Sequence, residues 1–167
     1  TDPRADRQAQ ATDMQDLKIA RTKQEVANWR SQMEREDKLV GFVPTMGALH
    51  DGHLSLIRLA GEHTDAVAAS IFVNPAQFAP NEDFSTYPRT EERDLELLAK
   101  AGCTFAYCPN ANEIYPPGDR TRVIVTDMSH ILEGAFRPHF FEGVTTVVSR
   151  LFVQMRPDAA VFGEKDY

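Results

Sequence analysis

Leu39–Ala60 reads LVGFVPTMGALHDGHLSLIRLA, and the change of periodicity inside it decides the fold. Leu39 to Val43 is a continuous apolar run, the pattern of a strand buried on both faces. Pro44 and Gly47 interrupt it, and the small residues flanking Met46 let other atoms approach the backbone closely. Beyond Asp51-Gly52 the period becomes helical, with Leu54, Ile57 and Ala60 on one stripe and Leu56 and Leu59 beside it. The stretch is therefore strand, glycine-containing turn, helix. His50 and His53 stand where the helix opens, where backbone N–H groups lack helical partners and the dipole is positive, a place suited to phosphate. Two imidazoles three residues apart share one side of the first turn, so both reach one anionic group. Each donates a hydrogen bond, and either can carry charge that develops on a displaced pyrophosphate. A zinc-binding His-x-x-His pair and two ordinary surface histidines are the competing interpretations. No nearby Cys, third His or Glu completes a zinc shell, and the turn-plus-helix context favours phosphate.

Around this stretch the chain has the make-up of one globular domain. Its 167 residues suffice for a substantial core, and 42% hydrophobic with 26% charged residues is ordinary for a water-soluble fold. A net charge of −7 and a pI near 5.2 argue against a general nucleic-acid or anionic-membrane binder. No apolar run approaches the span of a bilayer, and no signal-peptide pattern opens the sequence. Two cysteines, Cys103 and Cys108, fit a cytoplasmic protein with free thiols.

Residues 1–13, polar and aperiodic, are expected as a disordered lead to an α/β domain spanning 14–167. Met14 to Ala20 is expected to add a short strand, and Thr22 with Glu25 forms a capping box for a helix running through Val26, Trp29 and Met33 to about Arg35. Ala66 to Val73 is a second buried strand, followed by Asn74, Pro75, Gln77 and a polar loop. Thr90 is expected to cap a helix with Leu95, Leu98 and Ala101 inward and Gly102 at its close. Thr104 to Tyr107 is a third strand, Pro109 to Thr121 a long loop, and Val123 to Val125 a short strand. Leu132 to Gly143 reads as a glycine-bearing loop. Val144, Val147, Val148, Leu151 and Met155 mark a helix, and Ala159 to Phe162 a last strand. The alternation predicts a Rossmann-like parallel α/β sheet with helices on both faces. Its ligands belong at the carboxyl ends of the strands, where TMGALHDGH, NPAQF, YPPGDR and GEKD should gather. Uncharged Asn74 and Gln77 suit a substrate with hydroxyl and carboxylate groups. Lys165 offers a mobile cation for phosphate, and Asp166 accepts from ribose hydroxyls.

HDGH after an apolar strand resembles the HxGH motif of the nucleotidyltransferase superfamily, which includes class I aminoacyl-tRNA synthetases. The longer VPTMGALHDGH resembles the pantothenate synthetase (pantoate–β-alanine ligase) family. SIFVNPAQF, NEDFSTYPRTEERDL, LEGAFRPHFFEGV and GEKD follow in order, so the resemblance covers roughly residues 39–167. It implies a cytoplasmic, homodimeric ligase that uses ATP and Mg²⁺ to condense pantoate with β-alanine through a pantoyl adenylate, releasing AMP and pyrophosphate. It also implies an ATP site of Pro44, Thr45, Met46, Gly47, His50, His53, Gly163, Glu164, Lys165 and Asp166. His53 and His50 would be the catalytic groups. Substrate contacts would come from Gln77, Asn74, Tyr87, Glu133 and Arg137, with Arg89 near the pocket. Asp94 would be a partner for magnesium, against the alternative of a solvated helix face. The family often has His directly before the Phe of the LEG loop. Phe140 holds that place here and His139 lies one residue earlier, so no role passes to His139. Related enzymes continue past GEKDY into a C-terminal domain that closes over the triphosphate. A chain without it is expected to be inactive or weak alone. The alternatives are another HxGH adenylyl- or cytidylyltransferase, or a non-catalytic nucleotide-binding fragment.

Overall fold

The computed structural model describes residues 16–78, 84–86, 88–125 and 138–163. Within them, five strands form one all-parallel sheet: β1 (Lys18–Ala20), β2 (Val40–Thr45), β3 (Ala66–Ile71), β4 (Phe105–Tyr107) and β5 (Ala159–Ala160). Their spatial order is β1-β4-β3-β2-β5. The helices are α1 (Lys23–Arg35), α2 (Asp51–His63), α3 (Glu91–Lys100), α4 (Ala111–Ile114) and α5 (Pro138–Met155). The expected lead, residues 1–13, lies outside the described residues.

Strand side chains alternate between two layers, which is why the sheet needs helices on both faces. Val40, Phe42, Ala66 and Ala68 meet Val26, Trp29 and Met33 of α1 and Val147, Leu151 and Met155 of α5. Val43, Val67 and Ala69 meet Ile57 and Ala60 of α2 and Leu95, Leu98 and Ala99 of α3. Trp29 stacks on Phe105 with ring centroids 4.2 Å apart. Cys103 and Cys108 are free and buried, and burial pushes both thiols up to about 12, so they act as neutral packing groups. Among the described residues no helix is long and apolar enough to cross a membrane.

The connections position the functional edge. From β2 the chain steps to β3 and then β4 with α2 and α3 on one face. It then returns past β2 with α5 on the other face and pairs β5 with Gly41 and Phe42. The chain thus leaves β2 toward β3 on one side and arrives at β5 on the other, which makes the β2–β5 boundary a topological switch point, where such sheets offer a crevice at their carboxyl ends. Pro44 sharpens it. Phe42 O accepts from Val161 N at 3.0 Å, and Thr45 O accepts from Phe72 N on the β3 side. By strand alternation Pro44 faces the β5 side, where its missing N–H extends no ladder.

Several local expectations give way to tertiary partners. Thr90 precedes α3 without capping it through its side chain; its hydroxyl donates to Asp94 instead (3.2 Å). Pro109 to Thr121 contains the short α4. Val123 to Val125 has no strand partner among the described residues. Val123 N–H donates to Thr146 Oγ1 (3.0 Å) and its carbonyl accepts from Thr145 Oγ1 (2.6 Å), so α5 side chains replace a neighbouring strand. The loop expected over Leu132 to Gly143 ends earlier, because α5 begins at Pro138 and continues through Gly143. Proline suits the first helical turn, where no amide partner is lost.

Gly143 stays inside the helix because α5 lies against the 3₁₀ turn Pro75–Gln77. A Cβ there would sit 2.4 Å from Ala76 O and 2.8 Å from Gln77 N. Gly143→Ala is therefore expected to destabilise the fold by about 1–3 kcal/mol, the range for overpacking a closed contact. Urea unfolding followed by circular dichroism checks this; an unchanged midpoint would show that the turn yields freely.

Candidate active site

The turn after β2 is built by hydrogen bonds that the sequence does not announce. Thr45 Oγ1 donates to Ser70 O (2.8 Å) and accepts from Gly47 N (3.2 Å), tying the strand end to β3. Gly47 has φ +82° and Ala48 φ +50°. The left-handed region is easy for the glycine and strained for the alanine, so something must hold this turn. Asp94 of α3 does. Its side chain is 1% exposed, and its two carboxylate oxygens accept from Ala48 N and Leu49 N, each at 2.9 Å. Arg93 Nη1 donates to Leu49 O (3.1 Å), so adjacent α3 residues grip both polarities of the turn.

That grip sets the start of α2. His50 is its N-cap: Nδ1 accepts from Gly52 N (3.1 Å), while His50 N donates to His53 Nδ1 (3.2 Å). The imidazoles therefore form a capping box of the kind usually made by Ser and Glu. Backbone N–H groups only donate, so both Nδ1 atoms are acceptors and each ring carries its proton on Nε2. The ring centroids are 4.0 Å apart, which places two N–H donors side by side at a helix N-terminus. A Cβ at residue 52 would fall 2.8 Å from His50 Cε1. Gly52→Ala should swing the exposed His50 ring away at a cost of about 1 kcal/mol or less, in the range of a lost cap. ATP affinity should fall several-fold, and calorimetric titration checks it; unchanged affinity would show that the ring's place is immaterial.

A cavity of about 360 Å³ opens beside the turn at the carboxyl edge of β2, β3 and β4, with Met46, Gly47, Phe72, Arg89 and Asp94 in its wall. Arg89 lines this cavity and lies 4.9 Å over the Phe84 ring. Pro44, Thr45, Met46, Gly47, His50 and His53 lie at the end of β2 and in the turn and helix mouth that follow it, and Gly163 follows β5. Glu164, Lys165, Asp166, Tyr87, Glu133 and Arg137 lie outside the described residues.

Two expected ligands brace the site through bonds within the protein. Asn74, 1% exposed, accepts at Oδ1 from Tyr115 Oη (2.6 Å) and Ala76 N (3.2 Å). Its Nδ2 donates to Gln77 Oε1 and Gly143 O, both at 3.0 Å, which leaves nothing for a substrate. Asp94 likewise has its oxygens engaged by Ala48, Leu49 and Thr90. Among the described residues no three His, Cys, Asp or Glu side chains gather as a metal site. In this structure Asp94 holds the turn. Sequence reasoning missed Tyr115, Arg93 and the contact surface of Gly143, because each acts on a partner more than 40 positions away.

Comparison with known proteins matches this geometry. The family model described as pantoate-beta-alanine ligase matches residues 18–167. Pantothenate synthetase of Hyphomonas neptunium is 54% identical over 151 residues, covering 90% of this chain and 52% of that protein. The Acidiphilium cryptum pantothenate synthetase is 61% identical over 128 residues, covering 77% of this chain and 46% of that one. The crystal structure of pantothenate synthetase from Thermus thermophilus superposes with a TM-score of 0.81 at 49% identity, covering 90% of this chain and 53% of that one. Pantoate-beta-alanine ligase from Francisella tularensis, complexed with beta-gamma ATP and beta-alanine, gives a TM-score of 0.83 at 40% identity, covering 90% and 58%. The chain spans about half the length of the curated relatives it matches. Sheet, HxGH turn and matches agree that the fold is of the HxGH nucleotidyltransferase type, and the chain belongs to the pantoate–β-alanine ligase family.

Proposed function

We propose that these residues carry the adenylation half of a pantoate–β-alanine ligase. The observation that carries the proposal is the imidazole capping box at the helix mouth, held beside the switch-point crevice in a family whose Francisella tularensis member was crystallised with an ATP compound and beta-alanine. A pantoate carboxylate oxygen attacks the α-phosphorus of ATP, the bond to the β-phosphate oxygen breaks, and pyrophosphate leaves with its electron pair. The β-alanine amine then attacks the acyl carbon, AMP departs, and one proton is released as the amide forms. The chain's part in the first step is to bring two anions together and to donate to the charge that builds on the phosphates. His50 and His53 supply two Nε2–H donors, and the first turn of α2 supplies its dipole and unpaired amides. Magnesium fits no cluster of the described residues, so it is assigned only as a counter-ion of the nucleotide phosphates and no step runs through it.

Glu164, Lys165 and Asp166 are proposed for the phosphate and ribose, and Tyr87, Glu133 and Arg137 for the substrate pocket. Gln77 is proposed for pantoate, and Gln77→Ala should weaken pantoate binding about tenfold, the loss of a hydrogen bond to a charged oxygen, while ATP binding holds. Calorimetry that finds ATP binding lost and pantoate binding intact would remove this role. A cytoplasmic homodimer is also proposed, with the exposed Ile124 and Val125 as apolar surface for a second copy; sedimentation equilibrium tests it. The reaction itself is tested by pyrophosphate release with ATP, Mg²⁺ and pantoate against other hydroxy acids. Release without preference for pantoate would favour another nucleotidyltransferase, and tight ATP binding with no release would favour a non-catalytic nucleotide-binding role.

A further inference from the structure

The hydrogen bonds around Asn74 have a fixed polarity. Ala76 N–H can only donate and Gly143 C=O can only accept, so the Asn74 amide has its oxygen toward the first and its nitrogen toward the second. Asn74 Nδ2 also meets the Gln77 amide at 3.0 Å, and a donor must meet an acceptor, so Gln77 presents Oε1 to it. Its Nε2 is left facing elsewhere, and it donates to no described residue. At the other end Asn74 Oδ1 receives the Tyr115 hydroxyl at 2.6 Å, with Tyr115 as the donor.

We propose that Tyr115 is a positioning residue which, through Asn74, locks the Gln77 amide with its N–H groups outward, so that Gln77 recognises an oxygen acceptor and rejects an ammonium group. Tyr115 is itself held tightly. Arg150 lies 4.8 Å and Arg122 5.9 Å from its ring centroid, and Phe72 packs at 6.4 Å. Arg150 is fixed in turn by Ile114 O at 2.9 Å and by the Asp119 carboxylate at 2.8 Å. Burial pushes the Tyr115 hydroxyl above its ordinary pKa, in keeping with a phenol that must stay protonated to donate. The chain Tyr115, Asn74, Gln77 thus runs in one direction, donor to acceptor at each link. It is built at the carboxyl edge of β3, beside the switch-point crevice. The inference rests on the proposed role of Gln77 toward an acid substrate. Pinned this way, the amide favours the carboxylate and hydroxyl oxygens of pantoate over the amine of β-alanine.

The test uses Tyr115→Phe and Gln77→Glu in this chain, each first shown folded by its backbone amide spectrum. Tyr115→Phe removes one hydroxyl and keeps the ring beside the arginines. Nuclear magnetic resonance of the Asn74 and Gln77 side-chain amides, recorded without ligand, should show both shifted and broadened in Tyr115→Phe. Pantoate affinity should fall about three- to tenfold, the loss expected for one neutral hydrogen bond in a network, while ATP affinity stays within about twofold. Gln77→Glu should present an acceptor outward and abolish pantoate binding. Amide signals and pantoate affinity both unchanged in a folded Tyr115→Phe would overturn the proposal. If the amide signals shift but the unsubstituted chain binds no pantoate, the positioning stands and the assignment of Gln77 to pantoate fails.

Discussion

Asp94→Ala should lower the thermal unfolding midpoint by roughly 10 °C, the largest stability loss expected from any single change at the turn. The carboxylate is almost wholly buried and receives two backbone amides. Deleting it leaves both N–H groups without an acceptor, at about 1–3 kcal/mol each. A total of about 3–5 kcal/mol, at roughly 2–4 °C per kcal/mol in a protein of this size, gives that shift. The left-handed Ala48 then loses the only grip on its amide among the described residues, and His50 two residues later loses its place. Asp94→Asn keeps one acceptor but points a donor at the other amide, so about half the loss should remain. Circular dichroism melts of both variants decide it. Loss of magnesium-dependent ATP affinity with an unchanged melt would return Asp94 to the role of a metal partner.

His53→Ala should raise the barrier to adenylate formation by about 2–4 kcal/mol, a slowing of roughly 30- to 1000-fold, as for an oxyanion-type donor removed from its site. In the proposed mechanism the ring donates where charge develops on the leaving phosphates; its Nδ1 closes the capping box on His50 N. A smaller stability loss, about 0.5–2 kcal/mol, accompanies the broken cap. Single-turnover pyrophosphate release in an adenylate-forming preparation separates the two effects. Release at the unsubstituted rate would remove His53 from the chemistry and leave it a helix cap. His50→Ala should act mainly on ATP affinity, because that ring lies at the exposed rim.

Local pattern suffices for the elements whose partners are close in sequence. Thr22 and Glu25 cap α1 as their spacing requires, with Glu25 N to Thr22 Oγ1 at 3.2 Å. The apolar runs of β2 and β3 are buried on both faces because a parallel sheet covered by helices leaves them no solvent side. The strand–turn–helix of Leu39–Ala60, the place of His50 and His53 at the helix start, and the all-parallel fold class were therefore legible from one stretch and its periodicity. Gly52 was legible as part of a motif, though its reason, the 2.8 Å approach to His50 Cε1, was not.

What the tertiary structure decided were the roles of polar side chains whose partners lie far along the chain. Asp94 and Asn74 carry ligand chemistry in the sequence, and packing turns both inward onto backbone amides and carbonyls 45 and 69 positions away. A buried polar atom must find a partner, and folding determines whether that partner is a substrate or the protein's own backbone. The same rule applies at Val123, whose backbone N–H and C=O are taken by α5 hydroxyls. Sequence by itself determined the fold class and the place of the two histidines at a helix N-terminus, because those follow from periodicity and helix signals within one short stretch. Only the tertiary structure showed which polar side chains hold the site, because that depends on which polar groups the packed sheet and helices bring within about 3 Å of one another.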